Sequence, residues 1–321
     1  MASVAGQGTT YNLPNYHGEL FTVSPTETPF LAAIGGLNAA KPVASTTFEW
    51  QTIDRRASSV NNAAEEGAAA PAGAERSRSN LTNVLEIHHS AIEVSYTKLA
   101  AQGNFAGANI AAESSDVVLN ELTIQTMAEL ESMAVDIEQS FLSGTLNVPT
   151  DNTTARKTQG VLGVAGTVSD NAAAPGTPRA VSSDIVNVHL QKMFGAGAKL
   201  PQNTTVFLCG AGQKVALQDA YAQATLNAPT RDRSVGGVNI ETLVTPFGTF
   251  GVMLDRWMPD GEIAVVDLSV CYPTFLNIPG KGLLFTEELA RVGSSRKFQL
   301  YGEIGLEYGP TNAHGLITDL S

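Results

Sequence analysis

The chain has 321 residues, of which 43% are hydrophobic and 16% charged, and its formal net charge is −12. That balance excludes an intrinsically disordered chain, and the length points to two or more lobes. Lys and Arg are scattered through an acidic chain, which argues against gripping nucleic acid through a basic patch, and no apolar run approaches the roughly 18 residues of a membrane span.

Residues 1–45 read as an arm, because Pro14, Pro25, Pro29 and Pro42 interrupt any regular element. Only 30–37 is apolar enough to dock, and Gly35-Gly36 closes that stretch. An arm without a core of its own must lie on its own body or on a neighbour. Residues 1–10 have neither a basic patch nor an apolar core, so no signal peptide is expected. At 46–53, Phe48, Trp50 and Thr52 alternate with Thr47, Glu49 and Gln51, the period of a half-buried strand. Residues 54–80 lose all periodicity around Arg55, Arg56, Glu65, Glu66, Arg76 and Arg78. A second strand-like stretch follows at 81–96, with Val84, Ile87, Ile92 and Val94. Two strands around a long polar tip make an extended hairpin, which suits a projection that lands on another molecule better than a compact domain.

The clearest helix covers about 114–143, where Leu119, Leu122, Thr126, Leu130, Met133, Ile137 and Phe141 recur at steps of three and four. Ser115 can cap it, Asp116 suits its positive end and Gly144 stops it. The result is a rod of roughly 45 Å. Its other face carries Glu121, Glu129, Glu131, Asp136 and Glu138 without a basic residue, which reads either as a solvated face or as one met by the basic residues of a neighbour. Residues 145–180 read as a Gly-, Pro- and Asn-rich linker. Helices at 183–194 and 213–224 then alternate with strands at 204–209, 237–244, 248–255 and 263–267, a mixed α/β lobe. The stretches 282–288 and 296–307 read as antiparallel strands.

No constellation points to catalysis. Gly210-Ala211-Gly212 follows a strand and opens a helix, where a dinucleotide fold places a pyrophosphate, but Val215 stands at the third glycine position. A tight strand-to-helix turn is the expected role. His17, His88, His89, His189 and His314 have no metal-ligand spacing, and adjacent His88 and His89 should point to opposite faces of a strand. Cys209 and Cys271 are expected as reduced, partly buried thiols. No catalytic residue, cofactor or metal is expected.

The order of parts resembles the Hong Kong 97 fold of tailed-phage capsids. The run Thr28-Pro29-Phe30-Leu31-Ala32-Ala33-Ile34-Gly35, followed by Thr47-Phe48-Glu49-Trp50-Gln51-Thr52, resembles the opening of one family of tailed-phage major capsid proteins. So do Glu66-Gly67 and Ala155-Arg156-Lys157-Thr158-Gln159-Gly160. The resemblance covers most of 25–165 and is carried by element order alone through the α/β lobe. It implies an α+β fold of the Hong Kong 97 type: an N-terminal arm (1–45), an extended hairpin loop (46–96), a peripheral domain with a spine helix (97–180), an axial α/β domain (181–280) and return strands of the peripheral domain (281–321).

The implied function is a structural, non-enzymatic one: a major capsid subunit that forms hexamers and pentamers of an icosahedral head, made in the host cytoplasm and resident in the virion. The implied partners are further copies of itself, a separate scaffolding protein, a portal, DNA packaged without sequence recognition and a possible decoration protein. Expected inter-subunit contacts are Phe30, Trp50, Arg55, Arg56, Arg76 and Arg78 on one side, with Glu121, Glu129, Glu131 and Asp136 on the other. Lys98 and Lys281 are lone candidates for a covalent cross-link, and none is expected. The alternatives are a nanocompartment shell of the same fold and, from another class, a dinucleotide-binding enzyme using Gly210–Gly212. A cellular surface layer would need an export signal.

Overall fold

A computed structural model of the protein describes residues 24–56, 58–73, 75–100, 121–151, 153–172, 176–222, 233–235, 238–291 and 293–321. In chain order the elements are α1 (Pro29–Ala33), β1 (Lys41–Val43), β2 (Thr47–Ile53), β3 (Arg78–Val84), β4 (Glu86–Ser95), α2 (Tyr96–Ala100), α3 (Glu121–Ser143), α4 (Val161–Ala165), β5 (Ser169–Asp170), α5 (Ser183–Gly195), β6 (Thr205–Cys209), α6 (Ala211–Ala222), β7 (Arg233–Val235), β8 (Val238–Thr245), β9 (Gly248–Leu254), β10 (Ile263–Asp267), β11 (Tyr272–Leu276), β12 (Leu284–Glu288), β13 (Ser295–Glu307) and β14 (Gly315–Ile317). They fall into two compact units. The smaller takes in His89–Ala134 and Thr286–Tyr301, and the larger Thr28–His88, Val135–Phe285 and Gly302–Ser321.

The larger unit is built on a seven-stranded sheet of order β5-β14-β10-β6-β9-β8-β7. β6 and β10 lie at its centre, paired antiparallel from Thr205↔Asp267 to Cys209↔Ile263, and every residue of both is buried. Burial on both faces explains why these two strands are apolar almost without alternation. One face of the sheet carries α5 and α6. Val186, Leu190 and Met193 of α5 and Leu217 of α6 pack with Phe207, Phe250, Ile263, Val265 and Ile317 into one core. Ser182 caps α5, its hydroxyl accepting the N–H of Ile185 at 3.3 Å. The last strand, β14, joins this sheet beside β10.

The hairpin is present. β2 and β3 pair antiparallel from Thr47↔Val84 to Ile53↔Arg78, with Phe48 buried and Glu49 and Gln51 exposed. The single strand expected over 81–96 is instead two. Leu85, fully buried, separates them and donates its N–H to the Thr46 carbonyl at 2.8 Å. β3 stays with β2, while β4 passes to β13. His88 is buried and His89 exposed, as alternation along β4 requires. Burial holds the His88 imidazole down at about 4.

The arm expected over 1–45 is docked on its own chain where it is described. Phe30 and Leu31 of α1 are buried, and β1 pairs in parallel with β11 from Lys41↔Thr274 to Val43↔Leu276. Residues 1–23 lie outside the described residues, as do 114–120 of the expected long helix with Ser115 and Asp116. From Glu121 onward the helix follows its stripe: Leu122, Thr126 and Leu130 are half-buried, and Met133, Ile137 and Phe141 buried. Glu138 departs from the solvated acidic face and is wholly buried. The physical reason is that α3 is covered on more sides toward its end, where Val135, Ile137, Phe141 and Leu142 are buried too. The stretch 145–180 is also more than a linker. Val161, Leu162, Val164 and Ala165 of α4 are buried, and β5 extends the large sheet through β14.

Cys209 and Cys271 form no disulfide and are fully enclosed, more so than expected. Burial pushes the Cys271 thiol well above its usual range. Neither thiol is expected to react with a water-soluble disulfide reagent in the native protein, and both should react in denaturant. Rapid labelling of the folded protein would contradict the burial.

Candidate assembly interface

The hairpin has a fixed root and a solvated tip. At the root, the Trp50 indole N–H donates to the Gly309 carbonyl at 3.0 Å, and its ring meets Tyr308 edge-on with centroids 4.7 Å apart. Asn83 is fully buried in β3. Its amide donates to the carbonyls of Gln159 and Leu306 at 3.2 and 2.7 Å, and its side-chain oxygen accepts the N–H groups of Val84 and Gln159 at 2.9 and 2.8 Å. Nearby, Arg156 pairs with Glu303 at 2.8 Å. These bonds tie the foot of the hairpin to the segment after α3 and to β13.

Beyond the root, nothing among the described residues covers the hairpin. Arg55, Arg56, Arg76 and Arg78 are all exposed. Arg56 reaches Asn62 at 3.4 Å and Arg78 reaches Gln51 at 3.3 Å, both neutral partners within the hairpin. Ile53 is 58% and Val60 97% exposed, an apolar cost that no contact in the described chain offsets. Phe30 and Trp50, expected to touch a neighbour, are engaged within their own chain. Phe30 is 0% exposed, and its N–H is held by Glu138 at 2.7 Å. Trp50 is half-buried against Tyr308.

The acidic side divides in the same manner. Glu131 and Asp136 of α3 are exposed. Glu129 is half-buried and accepts the Ser90 hydroxyl. Glu121 opens the described helix, and its side chain lies outside the described residues. At the hairpin foot is an open groove of about 720 Å³, lined in part by Thr46, Ile87, Asp151 and Arg156. The Thr153 hydroxyl and N–H hold the Asp151 carboxyl below its usual range. Gly210-Ala211-Gly212 forms the tight turn from β6 into α6, with the Gly210 carbonyl accepting the Lys214 N–H at 3.0 Å. Among the described residues no cluster of His, Cys, Asp or Glu could hold a metal ion, and no helix is long and apolar enough to cross a membrane.

A mixed α/β sheet, a long helix and a hairpin anchored at its foot make up a fold of the Hong Kong 97 type, which solved structures share across nearly the whole chain. The capsid asymmetric unit of Cyanophage A-1(L) is similar at a TM-score of 0.66 and 13% identity, covering 96% of this chain and 97% of that one. The capsid of Myoviridae phage XM1 is similar at 0.60 and 14%, over 96% and 97%. The holo-SrpI encapsulin complex of Synechococcus elongatus PCC 7942 is similar at 0.62 and 13%, over 97% and 93%. The chain belongs to the SU10 major capsid protein family, whose sequence profile matches residues 3–321. It is therefore a major capsid protein of a tailed bacteriophage, which assembles with copies of itself into an icosahedral shell. The encapsulin shares the fold, but the family match fits the nanocompartment alternative less well. A comparison with curated proteins finds no sequence match.

Proposed function

We propose that the hairpin is the reaching element of this shell and that Arg55, Arg56, Arg76 and Arg78 meet the acidic face of α3 on a neighbouring copy. The observation that carries this reading is the exposure of all four guanidinium groups, none paired with a carboxylate among the described residues. Glu131 and Asp136, exposed on α3, supply the opposite charge, with Glu121 and Glu129 on the same helix. Single exposed pairs are weak, so their work is to set register. Repetition around a closed lattice raises the effective concentration of every further contact. Phe30 and Trp50 act indirectly, by fixing the chain from which the hairpin springs.

The role is structural and non-enzymatic. A chain of net charge −12 encloses DNA without holding it, because like charges repel. A separate scaffolding protein and a portal complete assembly, which begins in the host cytoplasm, and a decoration protein is a further possible partner.

Reversal of the four charges, R55E/R56E/R76E/R78E, is expected to yield folded, soluble chains that form no closed particles by negative-stain microscopy. Adding E131K and D136K to that variant is expected to restore particles. Normal particles from the fourfold variant alone would overturn the pairing.

A further inference from the structure

His189 lies on the buried face of α5, 0% exposed, and neither of its ring nitrogens has a hydrogen-bond partner among the described residues. The ring rests on the backbone of β14: a Cβ at Gly315 would lie 2.4 Å from its Nε2 and 2.7 Å from the Met193 sulfur. An ion cluster sits beside it. Asp170, which ends β5 and is 5% exposed, accepts the Arg179 guanidinium at 2.9 Å through Oδ2 and the Lys192 ammonium through Oδ1. Lys192 is one turn on from His189 along α5. Arg179 also holds the chain that follows β14. Its N–H donates to the Asp319 carbonyl at 2.9 Å, and its own carbonyl accepts the Ser321 N–H at 2.9 Å. α5, β5 and β14 therefore meet where two cations face one carboxylate, next to an enclosed imidazole that makes no hydrogen bond.

We propose that His189 is an acid-operated release for β14: a proton on its ring drives the strand, and residues 318–321 after it, off α5 and β5. An imidazolium carries two N–H donors, and the enclosed site gives an acceptor to neither. It is also a third cation beside Lys192 and Arg179, and both oxygens of Asp170 are already engaged. The other elements packed there do not compensate. β14 and α4, which packs on it, have no titratable residue. His314 before β14 is buried, its Nε2 2.6 Å from the Tyr308 carbonyl. Asp319 after it accepts the N–H groups of Ala172 and Gly176 at 3.2 and 2.9 Å. On α5, Asp184 is exposed; on α6, which packs on α5, Asp219 is exposed, Lys214 half-buried and Tyr221 buried. Burial, opposed by Asp170 and reinforced by Lys192 and Arg179, accordingly lowers the His189 ring from 6.5 to about 4.

The closed state thus rejects a proton that the opened state, with an ordinary imidazole, takes up. Closure is at full strength above the ordinary value of 6.5 and weakens as pH falls to about 4. Burial pushes the Asp170 carboxyl up, but Lys192 and Arg179 hold it below its ordinary 3.8, so its own protonation lies beneath that window. The release belongs to the single chain and stands or falls independently of the arginine pairing.

Hydrogen exchange of the full-length protein, read as protection factors between pH 7 and 4, tests it. The reporters are the Leu316, Thr318 and Leu320 amides, which donate to the carbonyls of Val168, Asp170 and Gly261 at 3.0, 3.1 and 3.0 Å. Their protection is expected to lie below that of the β6 and β10 amides at the sheet centre, and to fall by up to about tenfold per pH unit below 6.5. In His189→Leu no hydrogen bond seen among the described residues is lost, so protection at pH 7 should persist and its fall in acid should flatten. Lys192→Gln, at a half-exposed side chain, removes one repelling cation and should end the fall at a higher pH. That variant serves by itself if the leucine variant does not fold. Flat protection in the wild type, reporters as protected as the sheet centre, or the wild-type pH profile in either variant would overturn the release.

Discussion

Replacing Asn83 with leucine is expected to destabilise the chain by about 4 kcal/mol, because one side chain satisfies four backbone groups in a site without water. Leucine has the same branched side-chain skeleton and is the larger residue, so the loss comes from unpaired polar groups and crowding and not from a cavity. The carbonyls of Gln159 and Leu306 and the N–H groups of Val84 and Gln159 each lose a partner. Asn83→Asp separates donors from acceptors. It keeps both accepted N–H bonds but turns the donating amide into an oxygen that faces two carbonyls. That variant should be as unstable as the leucine one at neutral pH and partly recover in acid, where a protonated carboxyl can donate one bond. The urea midpoint of the unassembled chain measures both effects. Wild-type stability in the leucine variant would show that the buried network contributes nothing net. The consequence reaches assembly, since Asn83 sits at the root from which the hairpin projects.

Neither Asn83 nor Glu138 stands out in the sequence, and the reason is physical. Periodicity reports which face of an element is covered, and it served where one face is covered and the other wet. The alternation of Phe48, Trp50 and Thr52 gave the strand, and the stripe through Met133, Ile137 and Phe141 gave the helix. Continuous apolar runs marked β6 and β10, which are covered on both faces. Periodicity is silent about who supplies the cover. The stretch from Leu81 to Tyr96 has strand composition throughout, so the change of partner at Leu85 left no local mark. Glu138 lies beside the buried stripe, one residue from Ile137, and only the amides of α1 make its burial tolerable. β14 has three residues and α4 five, too few for a period. The four arginines were legible as exposed because polar, aperiodic sequence binds no core. Phe30 and Trp50 were legible as covered, but an apolar side chain does not record whether its own chain or a neighbour covers it.

A single methyl group at Gly160 is expected to be as damaging as the loss of Asn83, at roughly 3 kcal/mol or more, because the space it would enter holds backbone that cannot rotate away. Gly144 ends α3, donating its N–H to the Ser140 carbonyl at 3.0 Å, and its own carbonyl accepts the Gly160 N–H at 2.8 Å. A Cβ at Gly160 would lie 2.5 Å from the Leu142 carbonyl oxygen and 2.6 Å from the Gly144 nitrogen. One at Gly144 would lie 2.3 Å from the Ser140 oxygen and 2.6 Å from the Thr158 oxygen. Gly160 has φ −82° and ψ 163°, extended backbone that alanine adopts freely, so its requirement for glycine is steric. Gly67 makes the opposite case: φ is +80° with nothing within 4 Å of an added Cβ. Gly67→Ala therefore isolates the conformational cost, about 1 kcal/mol. Urea midpoints should place Gly160→Ala well below Gly67→Ala. Gln159, next to Gly160, gives both its N–H and its carbonyl to Asn83, so displacing the crossing also disturbs that network. The double variant Gly160→Ala with Asn83→Leu should then lose less than the sum of the two, the sign of two substitutions that break one shared contact. Strict additivity would mean that the end of α3 and the root of the hairpin are held independently.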